Sequence, residues 1–268
     1  MKKVKLISQK IVAIGGGENG RALDDGKITL YETEAMDKEI IKLTHKEKPN
    51  FLFIAHSQAS SIDIQESYFQ TMKRIYGEKF GCNCKDLKTN ELNNIERVKA
   101  KVAWADIIYE GGGDTLTMIQ LWKNTGFDKV LFDAWKNGKV ICGVSAGACC
   151  WFQSCNSDSL MMQNGKNKMS FISVNCLGWL PLHFTPHCDE EGRYESTKNQ
   201  LKENGLVGLM LSNCSAIEII DNQYRIIFSD SQEIEPYVLK AYWNGENYIE
   251  KIFEYTENYQ SLEELLSK

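Results

Sequence analysis

Short apolar runs alternate with longer amphipathic segments through the first half of the chain. Buried strands are predicted at 11–14, 51–55, 106–109 and 140–142. Helices are predicted at 35–44, 64–76, 91–103, 115–122 and 127–136. Continuous apolar strands that alternate with helices are typical of parallel strands covered on both faces. We therefore predict an α/β fold of three layers, α/β/α, around a mostly parallel sheet.

The second half of the chain has a different pattern, in which strands follow one another through short turns. Strands are predicted at 170–174, 179–185, 209–211, 216–220, 224–228 and 237–243, and helices at 195–203 and 255–265. Asp221-Asn222 and Asn244-Gly245 supply turn residues between successive strands. This pattern predicts an antiparallel C-terminal extension of the sheet. Neither a repeat nor a linker rich in Gly or Pro divides the sequence, so we predict a single domain over residues 1–268.

The composition is that of an ordinary globular protein, with 43% hydrophobic residues and a net charge of −5 over 268 residues. Without a basic stripe the charge argues against a nucleic-acid partner. Nine cysteines at scattered positions do not form a disulfide framework, which fits a reducing compartment. The chain opens with Met1-Lys2-Lys3, but the apolar run that follows is too short for a signal peptide or a membrane span. We predict a cytoplasmic monomer or homodimer that needs no cofactor and contacts no membrane.

The sequence Gly143-Val144-Ser145-Ala146-Gly147 stands between the predicted strand 140–142 and a predicted helix at 146–152. A serine at such a turn is lifted above the carboxyl edge of the sheet, and the first N–H groups of the helix point to the same place. Those N–H groups can stabilise an oxyanion. The motif indicates that Ser145 is a nucleophile, although a serine that merely caps a helix would fit the same five residues.

A serine nucleophile needs a general base, and the sequence has only four histidines. His187 follows a predicted strand and begins a polar loop, which makes it the first choice. His56 also follows a predicted strand and is the second choice. His183 lies within an apolar run typical of a core position, and His45 lies in a lysine-rich segment that indicates a surface position.

The third member of a serine triad is a carboxylate that orients the imidazole. Asp158 falls between the nucleophile and the base along the chain and is our prediction for this role. Asp189, Glu190 and Glu191 follow the histidine directly and remain alternatives, although an acidic run of this kind is more typical of a solvated loop.

A second glycine-rich strand end, Gly111-Gly112-Gly113, is followed by Asp114 and Thr115. Parallel strands place their carboxyl ends together, so this element should lie beside Ser145. An exposed Gly113 N–H could then serve as an oxyanion donor. Asp114 and Thr115 would line the site or, alternatively, cap the following helix.

Three other interpretations have weaker support. The glycine run that begins at Gly15 matches a dinucleotide motif, but the next strand ends at Ala55-His56-Ser57 without the required acidic residue. Ser145 and His187 are 42 positions apart, which leaves too little chain for the strands and helices of an α/β-hydrolase. No metal is predicted, because the Cys82-Asn83-Cys84 element has no second pair at a usable spacing.

In chain order, the sequences Gly-Gly-Gly-Asp-Thr at 111–115, Gly-Val-Ser-Ala-Gly-Ala at 143–148, Pro186-His187 and Gly192-Arg193 resemble the peptidase E family. These are serine dipeptidases specific for an N-terminal aspartate, and cyanophycinase is related to them. The resemblance spans the chain from the first strand to about Phe228. It implies a flavodoxin-like fold similar to that of the class I glutamine amidotransferases.

The resemblance also implies a role for each matching residue. It implies a triad of Ser145, His187 and Asp158, with the N–H groups of Gly113 and Ala146 as oxyanion donors. Arg193 would receive a carboxylate of the substrate, for which a guanidinium is well suited.

One departure is Asp114, where the family pattern usually has Asn, and an acidic residue there would repel an acidic substrate. The prediction is a serine peptidase of short peptides, a dipeptidase that prefers an N-terminal Asp. The alternatives are an inactive or weak ligand-binding protein of the same fold and a hydrolase of another small amide.

Overall fold

The computed structural model describes residues 7–23, 25–164, 170–231 and 235–268, so the Met1-Lys2-Lys3 opening lies outside the described residues. Within them the strands are β1 Lys10–Ile14, β2 Asn50–Ile54, β3 Asn83–Leu87, β4 Ile107–Glu110, β5 Val140–Val144, β6 Phe152–Ser157, β7 Ile172–Asn175, β8 Leu180–Thr185, β9 Gly208–Leu211, β10 Ser215–Ile220, β11 Gln223–Phe228, β12 Val238–Asn244, β13 Asn247–Ile252 and β14 Gln260–Ser261. The helices are α1 Glu34–Lys42, α2 Ile62–Met72, α3 Ile95–Trp104, α4 Thr115–Thr125, α5 Phe127–Lys136, α6 Ala146–Cys149, α7 Ser159–Asn164, α8 Arg193–Asn204 and α9 Leu262–Leu266.

The first sheet has eight strands in the order β14-β11-β10-β1-β5-β4-β2-β3. Strands β1 to β5 run parallel, and β10, β11 and β14 add an antiparallel edge beside β1. Ile14 at the end of β1 lies opposite Val144 of β5 on one side and Ala216 of β10 on the other. The predicted α/β fold, with a mostly parallel sheet and an antiparallel extension, is confirmed.

The two faces of the first sheet belong to different cores, as the period of two along a strand requires. Ile11 and Ala13 of β1 pack with residues of α3, α4 and α5, whereas Val12 and Ile14 pack with residues of α1 and α2. Helices therefore cover both faces, and the strands between them are buried over nearly their full length.

A second sheet was not predicted. Six strands form it in the order β13-β12-β9-β8-β6-β7, with β6, β8 and β9 parallel. The hairpin of β12 and β13 belongs to this sheet, not to the extension of the first. The predicted helix 146–152 ends at Cys149, because the chain turns there and Phe152 enters the core as the first residue of β6.

One hydrophobic cluster contains residues of both sheets, among them Ile11 of β1 and Phe184 of β8. A shared core of this kind joins the two sheets, and the single domain over residues 1–268 stays a prediction. The carboxyl ends of β1, β4 and β5 lie side by side in the first sheet and are followed by Gly15, Gly111 and Ser145. This edge of the sheet therefore collects the glycine-rich segments and the candidate nucleophile.

Candidate active site

Ser145 occupies a strained turn between β5 and α6. Its backbone has φ 55° and ψ −116°, a combination that a residue with a side chain rarely adopts. Gly147 makes the turn possible, because a Cβ at that position would overlap the carbonyl oxygen of Glu110 at the end of β4. The local geometry is that of a nucleophile elbow, in which the serine hydroxyl is presented at the edge of the sheet.

The loop after β4 lies directly beside this serine. A Cβ built on Gly112 would be 3.9 Å from Ser145 Oγ. Gly113 has φ 153° and packs so closely on the Ser57 carbonyl that a Cβ there would be 2.5 Å from its oxygen. On the other side of the serine, Ala146 is the first residue of α6, and the N–H at that position has no intrahelical acceptor. The structure thus brings the two glycine-rich motifs and the start of α6 together around Ser145.

His187 is anchored to the same strand end as Ser145. The N–H of Ser145 donates to the carbonyl of Ile14 at 3.0 Å, and the N–H of His187 donates to the carbonyl of Gly15 at 3.1 Å. The imidazole is about one-fifth exposed, and its Nδ1 lies 2.7 Å from Asn213 Oδ1. No direct hydrogen bond joins Ser145 and His187 in the part of the chain that the structure describes. Catalytic hydrogen bonds are often longer when no substrate is bound.

Asp158 does not contact His187. Its carboxylate follows β6 and lies 3.5 Å from the guanidinium of Arg193, and no hydrogen bond or ion pair between Asp158 and His187 occurs among the described residues. The side chain that contacts His187 Nδ1 is Asn213, which lies in the turn between β9 and β10. The other end of the Asn213 amide donates a hydrogen bond to Asp189. Sequence reasoning named Asp189 as an alternative and missed Asn213, for which no sequence motif gave a signal.

Arg193 is the first residue of α8 and is only 2% exposed. Its guanidinium donates two hydrogen bonds to Glu190 Oε2, at 2.8 and 3.0 Å, and also pairs with Asp158. The ring of Phe171 stacks against it at 4.5 Å. Two carboxylates already occupy this guanidinium, so in this conformation Arg193 is not free to receive a carboxylate of the substrate.

Asp114 is the N-cap of α4. Its Oδ1 accepts the N–H of Thr117 at 3.0 Å, and its Oδ2 accepts from the Thr117 hydroxyl and from Gln163. Burial opposes ionisation of this carboxyl, but the hydrogen bonds outweigh it and lower its pKa. Thr115, the next residue, is buried. The contacts of Asp114 are those of the capping alternative.

His56, the second choice for a general base, is fully buried. Its Nε2 lies 2.8 Å from the Leu87 carbonyl, and its Nδ1 accepts the indole N–H of Trp122 at 2.9 Å. Burial lowers the pKa of its imidazole to about 4. Both ring nitrogens already have partners inside the protein, so His56 is a structural residue.

An acid-lined cavity of about 310 Å³ opens beside His187. Its wall contains four carboxylate side chains, from Glu18, Glu32, Asp189 and Glu190. Glu18 is paired with Arg21 and Glu190 with Arg193. A cavity with this lining is better suited to a cationic or neutral group of a ligand than to an anionic one.

The fold is shared with solved structures of peptidases. A structure of a peptidase from an acI-B1 Actinobacterium superposes with a TM-score of 0.68 at 17% identity, covering 94% of this chain and 96% of that chain. A structure from Listeria monocytogenes EGD-e, described as a "Putative Peptidase E Protein", gives a TM-score of 0.57 at 17% identity, over 83% of this chain and 100% of that one. At this level of identity the likeness establishes the fold.

The family follows from the sequence. Residues 25–227 match the model of Peptidase family S51, and the chain belongs to that family. It is also 30% identical over 217 residues to the "Uncharacterized peptidase YgaJ" of Bacillus subtilis (strain 168), covering 80% of this chain and 85% of the relative. The predicted resemblance to the peptidase E family is confirmed, and the protein is a peptidase of this family.

Two further observations bear on ligands and location. Within the described ranges, no three His, Cys, Asp or Glu side chains are grouped in a way that would hold a metal ion. None of the helices formed by those residues combines the length and the apolar character needed to cross a bilayer.

Proposed function

We propose that the protein is a serine peptidase that hydrolyses short peptides through an acyl-enzyme on Ser145. The observation that carries this proposal is the backbone of Ser145, which is held at φ 55° by the close packing of Gly147 on Glu110. Strain of this kind persists only where the surroundings enforce it, and it is concentrated at functional sites. Because the chain belongs to a peptidase family, we take a peptide bond as the bond that is cleaved.

In the proposed mechanism, Ser145 Oγ attacks the carbonyl carbon of the peptide bond while His187 Nε2 accepts the hydroxyl proton. The N–H groups of Gly113 and Ala146 would donate to the oxyanion that forms. Collapse of the tetrahedral intermediate breaks the C–N bond, and the protonated His187 gives its proton to the leaving amine. Water then attacks the acyl-enzyme with His187 again as the base, which releases the acid product and restores Ser145.

We further propose that the acid-lined cavity beside His187 receives the free α-ammonium group of the peptide. Glu32 and Asp189 supply negative charge there. Both carboxylates accept hydrogen bonds from neutral groups, and neither forms an ion pair with Lys or Arg among the described residues. The preference for an N-terminal Asp, which the resemblance implies, stays a prediction. A side-chain carboxylate bound at Arg193 would have to displace Asp158 or Glu190.

Two measurements test the proposal. A fluorophosphonate probe should label the purified protein at Ser145, and Ser145→Ala should abolish both labelling and peptide turnover. The matched control is Ser67→Ala, a serine on α2 outside the site. A well-folded parent that takes no label and cleaves no peptide would instead identify a ligand-binding protein of the same fold.

A dipeptide panel resolves the substrate. Asp-X, neutral X-X and Lys-X members are compared with their N-acetylated forms, since acetylation removes the α-ammonium charge. The ammonium proposal requires that acetylation raises KM for every member. Equal KM values with and without acetylation would overturn it, and the Asp-X to neutral X-X ratio separately decides the aspartate preference.

A further inference from the structure

The group that faces His187 Nδ1 is an amide. Asn213 Oδ1 lies 2.7 Å from this nitrogen, and a carbonyl oxygen can only accept a hydrogen bond. His187 Nδ1 must therefore carry a hydrogen and donate it. In the neutral imidazole the other nitrogen, Nε2, then has the free lone pair. This is the tautomer that a general base for Ser145 requires.

The orientation of the Asn213 amide is fixed by Asp189. Asn213 Nδ2 donates to Asp189 Oδ2 at 2.8 Å, and the backbone N–H of Asn213 donates to Asp189 Oδ1 at 2.7 Å. Because a carboxylate only accepts, the NH₂ end of the amide must face Asp189. The carbonyl end is thereby turned to His187. Rotation of the amide by 180° would lose the side-chain hydrogen bond to Asp189 and set the amide oxygen against its carboxylate.

Gly16 leaves room for this arrangement. A Cβ at residue 16 would overlap both Asn213 Oδ1 and His187 Nδ1. The glycine run after β1, which the dinucleotide motif did not explain, is thus required where the histidine and the asparagine meet. His187 itself has φ 46°, and its N–H donates to the Gly15 carbonyl, so the loop also holds the imidazole from its backbone side.

We propose that Asn213, clamped by Asp189, is the positioning residue of His187, in the place that the resemblance assigned to Asp158. This inference rests on the proposed function, in which His187 is the base. The order is carboxylate, amide, imidazole: Asp189 accepts from Asn213, and Asn213 accepts from His187. The carboxylate of Asp189 is linked to the imidazole by the hydrogen bonds of the Asn213 amide, whereas the carboxylate of Asp158 forms an ion pair with Arg193.

The first test reads the tautomer and needs no substrate. Ring ¹⁵N NMR of the full chain resolves four histidines, and His187→Gln assigns the signal of His187. The parent should show the Nδ1–H form of His187. Asn213→Ala should shift the population toward a mixture of tautomers. An Nε2–H form in the parent, or an Nδ1–H form that survives unchanged in Asn213→Ala, would overturn the inference.

The second test separates positioning from structure by kinetics. Asn213→Ala should lower kcat for a cleaved peptide by up to about 10⁴-fold, the loss that follows when the histidine of a serine triad loses its orienting partner, with little change in KM. Asp189→Asn should lower kcat less, because it frees the amide to rotate but leaves an acceptor. The double variant Asp189→Asn/Asn213→Asp reverses the order of amide and carboxylate and should recover kcat relative to Asn213→Ala.

Asn50→Ala is the matched control. Asn50 also donates its N–H to an aspartate, Asp106, but it starts β2 at the opposite edge of the sheet. It should keep the parental kcat even if it lowers stability. Parental kcat in Asn213→Ala together with a large loss in Asp158→Asn would overturn the inference and leave the serine peptidase intact. If Asn213→Ala does not fold, the Asp189→Asn variant and the swap decide the question by the same NMR and kcat readouts.

Discussion

The first prediction concerns the protonation of Glu110, the residue whose backbone carbonyl packs against Gly147. Its side chain is fully buried at the end of β4, and Oε1 accepts the N–H of Ser57 at 3.0 Å. Oε2 has no hydrogen-bond partner within the described residues. Burial raises the pKa of this carboxyl to about 8, although backbone N–H groups offset part of the effect. At neutral pH the group is therefore mostly protonated, and Glu110→Gln should imitate its neutral form.

The magnitude follows from proton linkage. The pKa rises from 4.5 in the unfolded chain to about 8 in the folded protein. Between these values the folded protein holds a proton that the unfolded chain has lost, so the free energy of unfolding falls as the pH rises. Each unit contributes about 1.4 kcal/mol, which amounts to roughly 5 kcal/mol over the interval. This stability is fully present below pH 4.5 and is lost as the pH rises through about 8.

The measurement is urea unfolding of the parent and of Glu110→Gln at several pH values between 5 and 8. Glutamine does not titrate, so the free energy of unfolding of the variant should gain on the parent by about 1.4 kcal/mol for each pH unit. Glu96→Gln is the control, since Glu96 is exposed on α3 and should leave the pH dependence unchanged. Parallel curves for the parent and Glu110→Gln would show that Glu110 is ionised in the folded protein and would contradict the prediction.

Three further substitutions test other parts of the site. Gly147→Ala places a methyl group against the Glu110 carbonyl and should destabilise the fold by about 1–3 kcal/mol. It should also abolish probe labelling of Ser145, and full labelling would contradict the close packing of Gly147 on Glu110. Asp114→Ala removes the N-cap of α4 and should cost about 1 kcal/mol in urea unfolding, while an unchanged midpoint would exclude the cap. Arg193→Ala leaves two carboxylates without their cation and should cost about 1–3 kcal/mol, because Asp158 and Glu190 are 38% and 44% exposed and water compensates part of the loss. Turnover of all peptides should fall alike; a rise in KM confined to Asp-X peptides would instead show that Arg193 binds substrate.

Much of the local structure could be predicted from the sequence. The apolar run that became β5 and the polar turn residues between β10 and β11 each act through their immediate neighbours. The capping role of Asp114 could also be predicted as an alternative, because an N-cap side chain accepts a hydrogen bond from an N–H only three positions along the chain. Local sterics and periodicity are properties of short segments, so a sequence displays them directly.

The partners of the charged and polar site residues could not be predicted in the same way. Asp158 was chosen for its place between Ser145 and His187 along the chain, yet it lies against Arg193. The residue that meets His187 comes from the turn between β9 and β10, 26 positions further on. Which side chains meet there depends on the order of strands in two sheets, and the second sheet was itself unforeseen.

The strand-to-helix turn at Ser145, the glycine-rich segments beside it and the family of the chain could thus be recognised in the sequence. The hydrogen bond of His187 to an amide held by Asp189, and the pairing of Arg193 with Asp158 and Glu190, became evident only in the folded chain. The difference lies in the range of the interactions. Backbone conformation is set by neighbouring residues, whereas the partner of a polar side chain is set by whichever distant segment the packing of the sheets brings within about 3 Å.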